Sequence, residues 1–169
     1  MSERTGVITF KTKPMTLTGN AVKVGDAAPD FKAVANDLSE VKLSQFKGKT
    51  VVISVVPSLD TGVCDAQGKR FNDEALKLGS DVQILIISED LPFAQKRWCG
   101  ANNATAVQTI SDYKDRDFAK NYGLYIKELG LLTRAVIVVG ADGKVKYQEI
   151  VPEVTTHPNY DAAIAAIKA

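Results

Sequence analysis

Hydrophobic and polar positions along this chain follow two rhythms. "TVVISVV" (Thr50–Val56), "VQILIIS" (Val82–Ser88) and "RAVIVVG" (Arg134–Gly140) are nearly unbroken apolar, β-branched runs. Such runs predict strands covered on both faces. "EVKL" (Glu40–Leu43) alternates instead, and Phe31–Ala35 and "VQTIS" (Val107–Ser111) read as further extended pieces. Between the runs the period changes to that of a helix. From Cys64 to Leu78, Phe71, Ala75 and Leu78 fall on one apolar stripe. Gly68 inside that helix costs ~1 kcal/mol relative to alanine, a cost that close packing explains. "PFAQKRWC" (Pro92–Cys99) predicts a short helix with Pro92 in its first turn, and "DRDFAKNYG" a helix ended by Gly123. "ADGKVKYQEIV" predicts a hairpin, with Asp142-Gly143 turning into a strand over Lys144–Val151. "YDAAIAAIKA" closes the chain as an amphipathic helix. At the other end, "VITF" (Val7–Phe10) and "AVKV" (Ala21–Val24) flank the turn-rich "LTGN" and predict an N-terminal hairpin.

Strands alternating with helices, then a hairpin and a last helix, form an α/β pattern. The connection through the Cys64 helix is expected to be a right-handed crossover. Sheets of this kind bind ligands beyond the carboxyl ends of their strands. Cys64 follows the carboxyl end of Thr50–Val56, so it lies where a site is expected.

Composition narrows the possibilities. The chain has 169 residues, 45% hydrophobic and 24% charged, which suits one folded domain over residues 1–169. With 21 basic and 20 acidic residues the net charge is +1. That balance gives no reason to expect nucleic acid or an anionic membrane as partner. "MSERTGVITFKTKP" is too polar for a secretory leader, and no run approaches a membrane span. The expected address is the cytoplasm, where two thiols are inert core residues or redox groups more often than a permanent staple.

Position singles out Cys64. A helix N-terminus has unpaired N–H groups and partial positive charge, and both favour an anionic sulfur, the nucleophilic form. Asp60 or Thr61 is placed to cap that helix. Pro57 fixes the chain as it leaves the strand, and Gly62 lets backbone approach closely. Asp65 works against an anion if it turns inward, and a nearby cation offsets it. On position alone, a buried and inert cysteine is an equal reading. Arg134 alone reads as a solvated charge before a strand.

Pro57, Thr61 and Cys64 form P-x-x-x-T-x-x-C, which resembles the active-site motif of peroxiredoxins. "PSLDTGVCD" resembles the thiol peroxidase branch, the atypical two-cysteine peroxiredoxins. "SEDLPFAQKRWCG" (Ser88–Gly100) is similar to that branch's resolving-cysteine segment, and "IKELGLLTRAVIVV" (Ile126–Val139) to its arginine segment. "VPEVTTHPNY" and the opening "VITFKTKPMTLTGN" also fit, so the resemblance covers most of the chain.

The resemblance implies a thioredoxin-like fold: a central mixed sheet flanked by helices, with an N-terminal hairpin. It implies that Cys64 is the peroxidatic cysteine, oxidised by a hydroperoxide to sulfenic acid. Thr61 then hydrogen-bonds sulfur and peroxide, Pro57 shields the sulfur from water, and Arg134 stabilises thiolate and breaking O–O bond. Cys99 is the resolving cysteine, forming an intramolecular disulfide with Cys64 that thioredoxin reduces. A disulfide needs Cα atoms within about 7 Å, so a local unwinding of one or both cysteine segments is expected. The resemblance also implies a homodimer without cofactor or metal. Leu59 and Phe93, expected near the site, suit an alkyl or lipid hydroperoxide.

Other chemistries fit less well. "WCGA" lacks the second cysteine of a CxxC oxidoreductase. His157 is the only histidine and sits before Pro158, which predicts a local hydrogen bond rather than a catalytic pair. Two cysteines and one histidine fall short of a structural zinc site. No phosphate-binding glycine loop is present. A peroxide sensor that signals through its disulfide without turnover is the competing class, since it uses the same cysteine chemistry.

Overall fold

The computed structural model describes residues 2–169. In chain order it contains β1 (Glu3–Phe10), β2 (Lys13–Thr18), β3 (Lys32–Ala35), β4 (Glu40–Lys42), a 3-10 turn (Leu43–Phe46), β5 (Thr50–Val55) and α1 (Gly62–Ala75). There follow β6 (Val82–Ser88), α2 (Pro92–Ala101), β7 (Gln108–Ser111), α3 (Asp117–Tyr122), β8 (Tyr125–Ile126) and β9 (Leu131–Leu132). The last elements are β10 (Ala135–Val139), β11 (Val145–Ile150) and α4 (Tyr160–Lys168).

A mixed seven-stranded sheet runs in the order β11-β10-β5-β6-β7-β3-β4. β5, β6 and β7 are parallel, while β10 is antiparallel to β5. Successive strand residues face opposite sides, which divides the apolar runs between two cores. Val51, Ile53, Val55, Leu85 and Ile87 pack on one side with Phe31, Phe118 and Tyr122. Val52, Ile84, Ile86, Val136 and Val138 pack on the other with Phe71 of α1, Trp98 of α2 and Ile167 of α4. Cys64 is part of that second core.

The N-terminal hairpin exists, but its turn lies elsewhere than the sequence pattern predicts. β1 pairs with β2, and the reversal is at Lys11 and Thr12 (φ 49° and 68°). Ala21–Val24 forms no strand. Two successive left-handed residues give a turn whose twist matches the strands. Neither is glycine or asparagine, so the turn is held from outside. The Glu153 carboxylate accepts from the N–H groups of Lys11 (3.2 Å) and Thr12 (2.8 Å) and from the Thr9 hydroxyl (2.9 Å). The Thr155 hydroxyl, the Thr12 and Thr155 N–H groups and Thr9 hold this carboxyl down at about 2. β2 continues into a small second sheet with β8 and β9, strands of two residues each.

At the carboxyl end of β6 two adjacent carboxyls have opposite surroundings. Asp90 is fully engaged with hydrogen-bond donors, as described below. Glu89 is buried with both oxygens lacking a conventional donor, and the nearest cation is Arg116 at 3.8 Å. Burial first, then the neighbouring Asp112 charge, push Glu89 up to about 8 against the pull of Arg116. A proton on Glu89 removes its like-charge repulsion with Asp112, whose two oxygens accept from the N–H groups of Phe118 and Ala119 at 2.9 Å.

The folded chain therefore keeps a proton on Glu89 that the unfolded chain releases near 4.5. Its contribution to stability is full below that value and is lost as pH rises toward about 8. Glu89→Gln keeps a donor toward Asp112 and cannot ionise. Its thermal midpoint should fall less between pH 5 and pH 8.5 and end at least about 2 °C above wild type. Equal slopes in differential scanning calorimetry would mean that the pair holds no such proton.

Candidate active site

β5 delivers the chain to the site through a buried stretch, Val56 and Pro57, and a short loop leads into α1. Asp90, from the end of β6, straps this loop. It accepts from the Ser58 hydroxyl (2.8 Å), the Leu59 N–H (2.8 Å) and the Ser88 hydroxyl (2.7 Å). Thr61 occupies the N-cap position of α1, which makes Cys64 the third residue of the helix. Its backbone N–H therefore belongs to the first turn, where donors have no intrahelical acceptor. Neither Asp60 nor Thr61 caps with its side chain. The Thr61 hydroxyl donates back to the Ser58 carbonyl at 3.0 Å instead, so it is engaged within the loop and not with sulfur.

The antiparallel register pairs Ala135 with Val55. Arg134, one residue earlier, is thereby carried to the carboxyl end of β5, beside the start of α1. It is no solvated charge, being 2% exposed. Its Nε donates to the Val154 carbonyl (2.7 Å), Nη1 to Gln67 Oε1 (2.9 Å) and Nη2 to Cys64 Sγ (3.2 Å). Cys64 itself is 0% exposed.

Gln67 was not foreseen from sequence. It lies three residues after Cys64, the spacing that puts two residues on one helix face. Its Oε1 accepts from Arg134, and its Nε2 donates to Ser54 Oγ (2.8 Å) on β5. Amide and guanidinium thus form a buried polar chain from the sheet to the sulfur. A guanidinium donor and a helix first turn together are the surroundings that compensate an anion.

Asp65 turns away from the sulfur. Its carboxylate accepts from Trp98 Nε1 (2.8 Å) and pairs with Lys69 (2.7 Å). Burial raises the pKa of this carboxyl, but Lys69 and Trp98 outweigh it and hold the group below its usual range. The cation that faces Cys64 is Arg134.

Cys99 is held separately. Both cysteines are free thiols. Cys99 Sγ lies 3.3 Å from the Thr109 hydroxyl, which donates to Asn36 Oδ1 at 2.9 Å. With that hydroxyl hydrogen committed, the Cys99 thiol is the donor to Thr109. Cys99 opens onto a shallow cleft of about 360 Å³ beside Asn36, Asp37 and Ser39. A cleft of about 290 Å³ at the opposite end of β5, lined by Leu43, Phe46 and Val139, contains no cysteine.

The structure therefore brings Cys64 and Arg134 into contact, sets Pro57 and Thr61 in the entering loop, and keeps Cys99 on its own partner. Leu59 is buried in the core with Cys64, whereas Phe93 is 65% exposed, so an apolar lining shared by the two is not formed. His157 bonds locally, as its context predicts, with Nδ1 2.8 Å from the Tyr160 hydroxyl.

Comparison with known proteins gives a consistent picture. The redoxin family profile matches residues 23–164. A thiol peroxidase of Bacillus subtilis is 58% identical over 162 residues, 96% of each chain. A thiol peroxidase of Halalkalibacterium halodurans is 57% identical over 96% of this chain and 97% of its own. The crystal structure of a peroxiredoxin-like protein from Aquifex aeolicus superposes with a TM-score of 0.90 at 41% identity, covering 98% of this chain and 96% of its own.

Gln67 should matter for the reactivity of Cys64 because it fixes Arg134 laterally. Gln67→Met keeps similar volume and removes the amide's hydrogen bonds to Arg134, Ser54 and the Val55 carbonyl. It should slow alkylation of Cys64 by iodoacetamide at pH 7 about tenfold, in line with the loss of a charged hydrogen bond. Alkylation of Cys99, read in the same mass spectrum, should stay at the wild-type rate. An unchanged rate at Cys64 would show that Arg134 holds its place without the amide.

Proposed function

We propose that this chain, which belongs to the redoxin family and is a thiol peroxidase, turns over through Cys64 and Cys99. The observation that carries the reading is the 3.2 Å contact from Arg134 Nη2 to a fully buried Cys64 sulfur. The Cys64 thiolate attacks the terminal oxygen of a hydroperoxide. The O–O bond breaks, the alkoxide or hydroxide leaves and takes a proton, and Cys64 becomes a sulfenic acid. Arg134 is aimed at the sulfur and so at the oxygen that bonds it, where charge develops. Pro57 keeps bulk water away. Thr61 joins the reaction by turning its hydroxyl from Ser58 toward sulfur and peroxide, for the loss of one neutral hydrogen bond, worth about 1 kcal/mol.

Cys99 then condenses with the sulfenic acid, releasing water and leaving a Cys64–Cys99 disulfide. A dithiol protein, thioredoxin, reduces it. The cleft beside Cys99 supports this step, since it gives a partner's sulfur a way to that residue. We read the 169 residues as one domain, assembled as a homodimer in the cytoplasm. Among the described residues no helix is long and apolar enough to cross a membrane. Hydrogen peroxide and organic hydroperoxides are both substrates. With Leu59 buried, the preference for substrates with an apolar body rests on the exposed Phe93 ring alone.

Two substitutions separate the cysteine roles. Cys64→Ser should abolish peroxide consumption in an assay with thioredoxin and its reductase. Cys99→Ser should consume about one equivalent of peroxide rapidly and then stop. The reverse pattern would invert the assignment, and a wild-type protein that is oxidised once without turnover would favour the sensor reading.

The substrate preference has its own test. Cumene hydroperoxide should be reduced with a higher kcat/KM than hydrogen peroxide, and Phe93→Ser should narrow the difference. A clear preference for hydrogen peroxide in the wild type would remove the apolar assignment.

A further inference from the structure

The residues next to the two cysteines are bonded to each other. Asp65 follows Cys64, Trp98 precedes Cys99, and Trp98 Nε1 donates to Asp65 Oδ1 at 2.8 Å. The indole is gripped a second time one turn further along α1. A Cβ on Gly68 would lie 2.7 Å from Cη2 and 2.8 Å from Cζ2 of Trp98. The missing side chain of Gly68 is therefore the seat of the ring. Asp65 and Gly68 are three residues apart and face the same way. Lys69 adds its ion pair to Asp65 at 2.7 Å and fixes the carboxylate that receives the indole.

This grip opposes disulfide formation. In the thiol state Cys64 is bound to Arg134, which precedes β10, and Cys99 to Thr109 of β7. Those strands are separated by β5 and β6, so the anchoring strands stand about 14 Å apart at a spacing of ~4.8 Å per strand. A disulfide requires its Cα atoms within about 7 Å. Moving Cys64 by unwinding the first turn of α1 carries Asp65 with it. Moving Cys99 by unwinding α2 carries Trp98. Either route separates the indole from the carboxylate.

We propose that Asp65, Gly68 and Trp98 form a latch that holds α1 and α2 in the thiol arrangement and must open before Cys99 reaches Cys64. The proposal rests on the disulfide cycle described above. The latch sets how long Cys64 remains a sulfenic acid. Two reactions compete for that species. Cys99 thiol and Cys64 sulfenic acid give the disulfide and one water. A second hydroperoxide gives Cys64 sulfinic acid and one alcohol or water, which ends turnover. A tight latch favours the second outcome as peroxide concentration rises. Asp65 and Trp98 are thus positioning residues for resolution and take no part in the attack on peroxide.

Rapid-quench mass spectrometry of the full-length chain after one equivalent of cumene hydroperoxide separates these steps. Trp98→Phe keeps an aromatic ring in the core, deletes the N–H and withdraws the ring edge from Gly68. It should form the disulfide about tenfold faster than wild type, as expected for losing a hydrogen bond to a charged acceptor. Its yield of sulfinic acid at high peroxide should fall in proportion, while sulfenic acid forms at the wild-type rate. Asp65→Leu should accelerate resolution from the other side of the same contact. Asp65→Asn retains an acceptor and should stay within about threefold of wild type. Trp98 is the only tryptophan, so wild-type fluorescence should change with the rate constant of disulfide formation and not with that of peroxide consumption. An unchanged or slower disulfide step in Trp98→Phe and Asp65→Leu, with the disulfide forming normally in wild type, overturns the latch alone. Absence of any Cys64–Cys99 disulfide in wild type removes both the latch and the cycle it rests on.

Discussion

A buried guanidinium organises this molecule. Arg134 is a permanent cation almost wholly removed from water, and an uncompensated charge in such a place costs several kcal/mol. Among the described residues its ion pairs include no carboxylate. Its recorded partners are a carbonyl, an amide oxygen and the Cys64 sulfur. Of these three, only sulfur can carry a full negative charge at neutral pH. Sulfur is thus the partner of Arg134 on which the proposed chemistry turns. On the proposed mechanism chemistry and stability are linked at this point, because the group that would activate sulfur is a buried charge that needs its partners.

The sheet makes that encounter possible. β10 runs antiparallel to β5 with Ala135 opposite Val55, which brings the start of one strand to the end of the other. A parallel β10 would carry Arg134 to the far end of the sheet. Asp90 and Gln67 then hold the two sides of the junction. Asp90 ties the entering loop to β6 through three donors, and Gln67 ties the guanidinium to Ser54 of β5. Every polar group in this chain of contacts has a partner, and a satisfied buried network of this kind fixes geometry.

These relations were unequally legible beforehand. β6 spans the predicted residues and β5 differs by one, because strands buried on both faces carry their signal in each residue. Cys64 and Arg134 were recognisable as a pair through family resemblance, whereas Arg134 alone reads as an ordinary surface charge. Gln67 was invisible because a glutamine in a helix is usually solvated, and its partner Arg134 lies 67 residues away. The N-terminal turn was misplaced for a similar reason. Lys11 and Thr12 lack the usual turn chemistry, and the Glu153 carboxylate that holds them is 142 and 141 residues further on. β8 and β9, with two residues each, are too short to display any period. Gly68 did carry a readable message, since a glycine inside an amphipathic helix implied close packing, but nothing local named Trp98 as the ring it admits.

The proposed two-cysteine cycle places contradictory demands on the segments that carry Cys64 and Cys99. Attack on peroxide requires the sulfur, Arg134 and the first-turn N–H groups to be fixed beforehand, since preorganised donors stabilise developing charge without reorganising. Resolution in that cycle requires this turn, the Cys99 segment of α2, or both to come apart. The structure separates these demands by location. The network from Ser54 through Gln67 to Arg134 is anchored on the sheet and can survive unwinding of the residues around Cys64. The contacts that oppose unwinding, Asp65 with Trp98 and Thr61 with Ser58, lie on the helix and its loop. They are few and partly exposed, the character of segments that open at low cost. Rigidity thus resides where Gln67 and Arg134 meet the sheet, and the breakable contacts lie in the segments around the two cysteines.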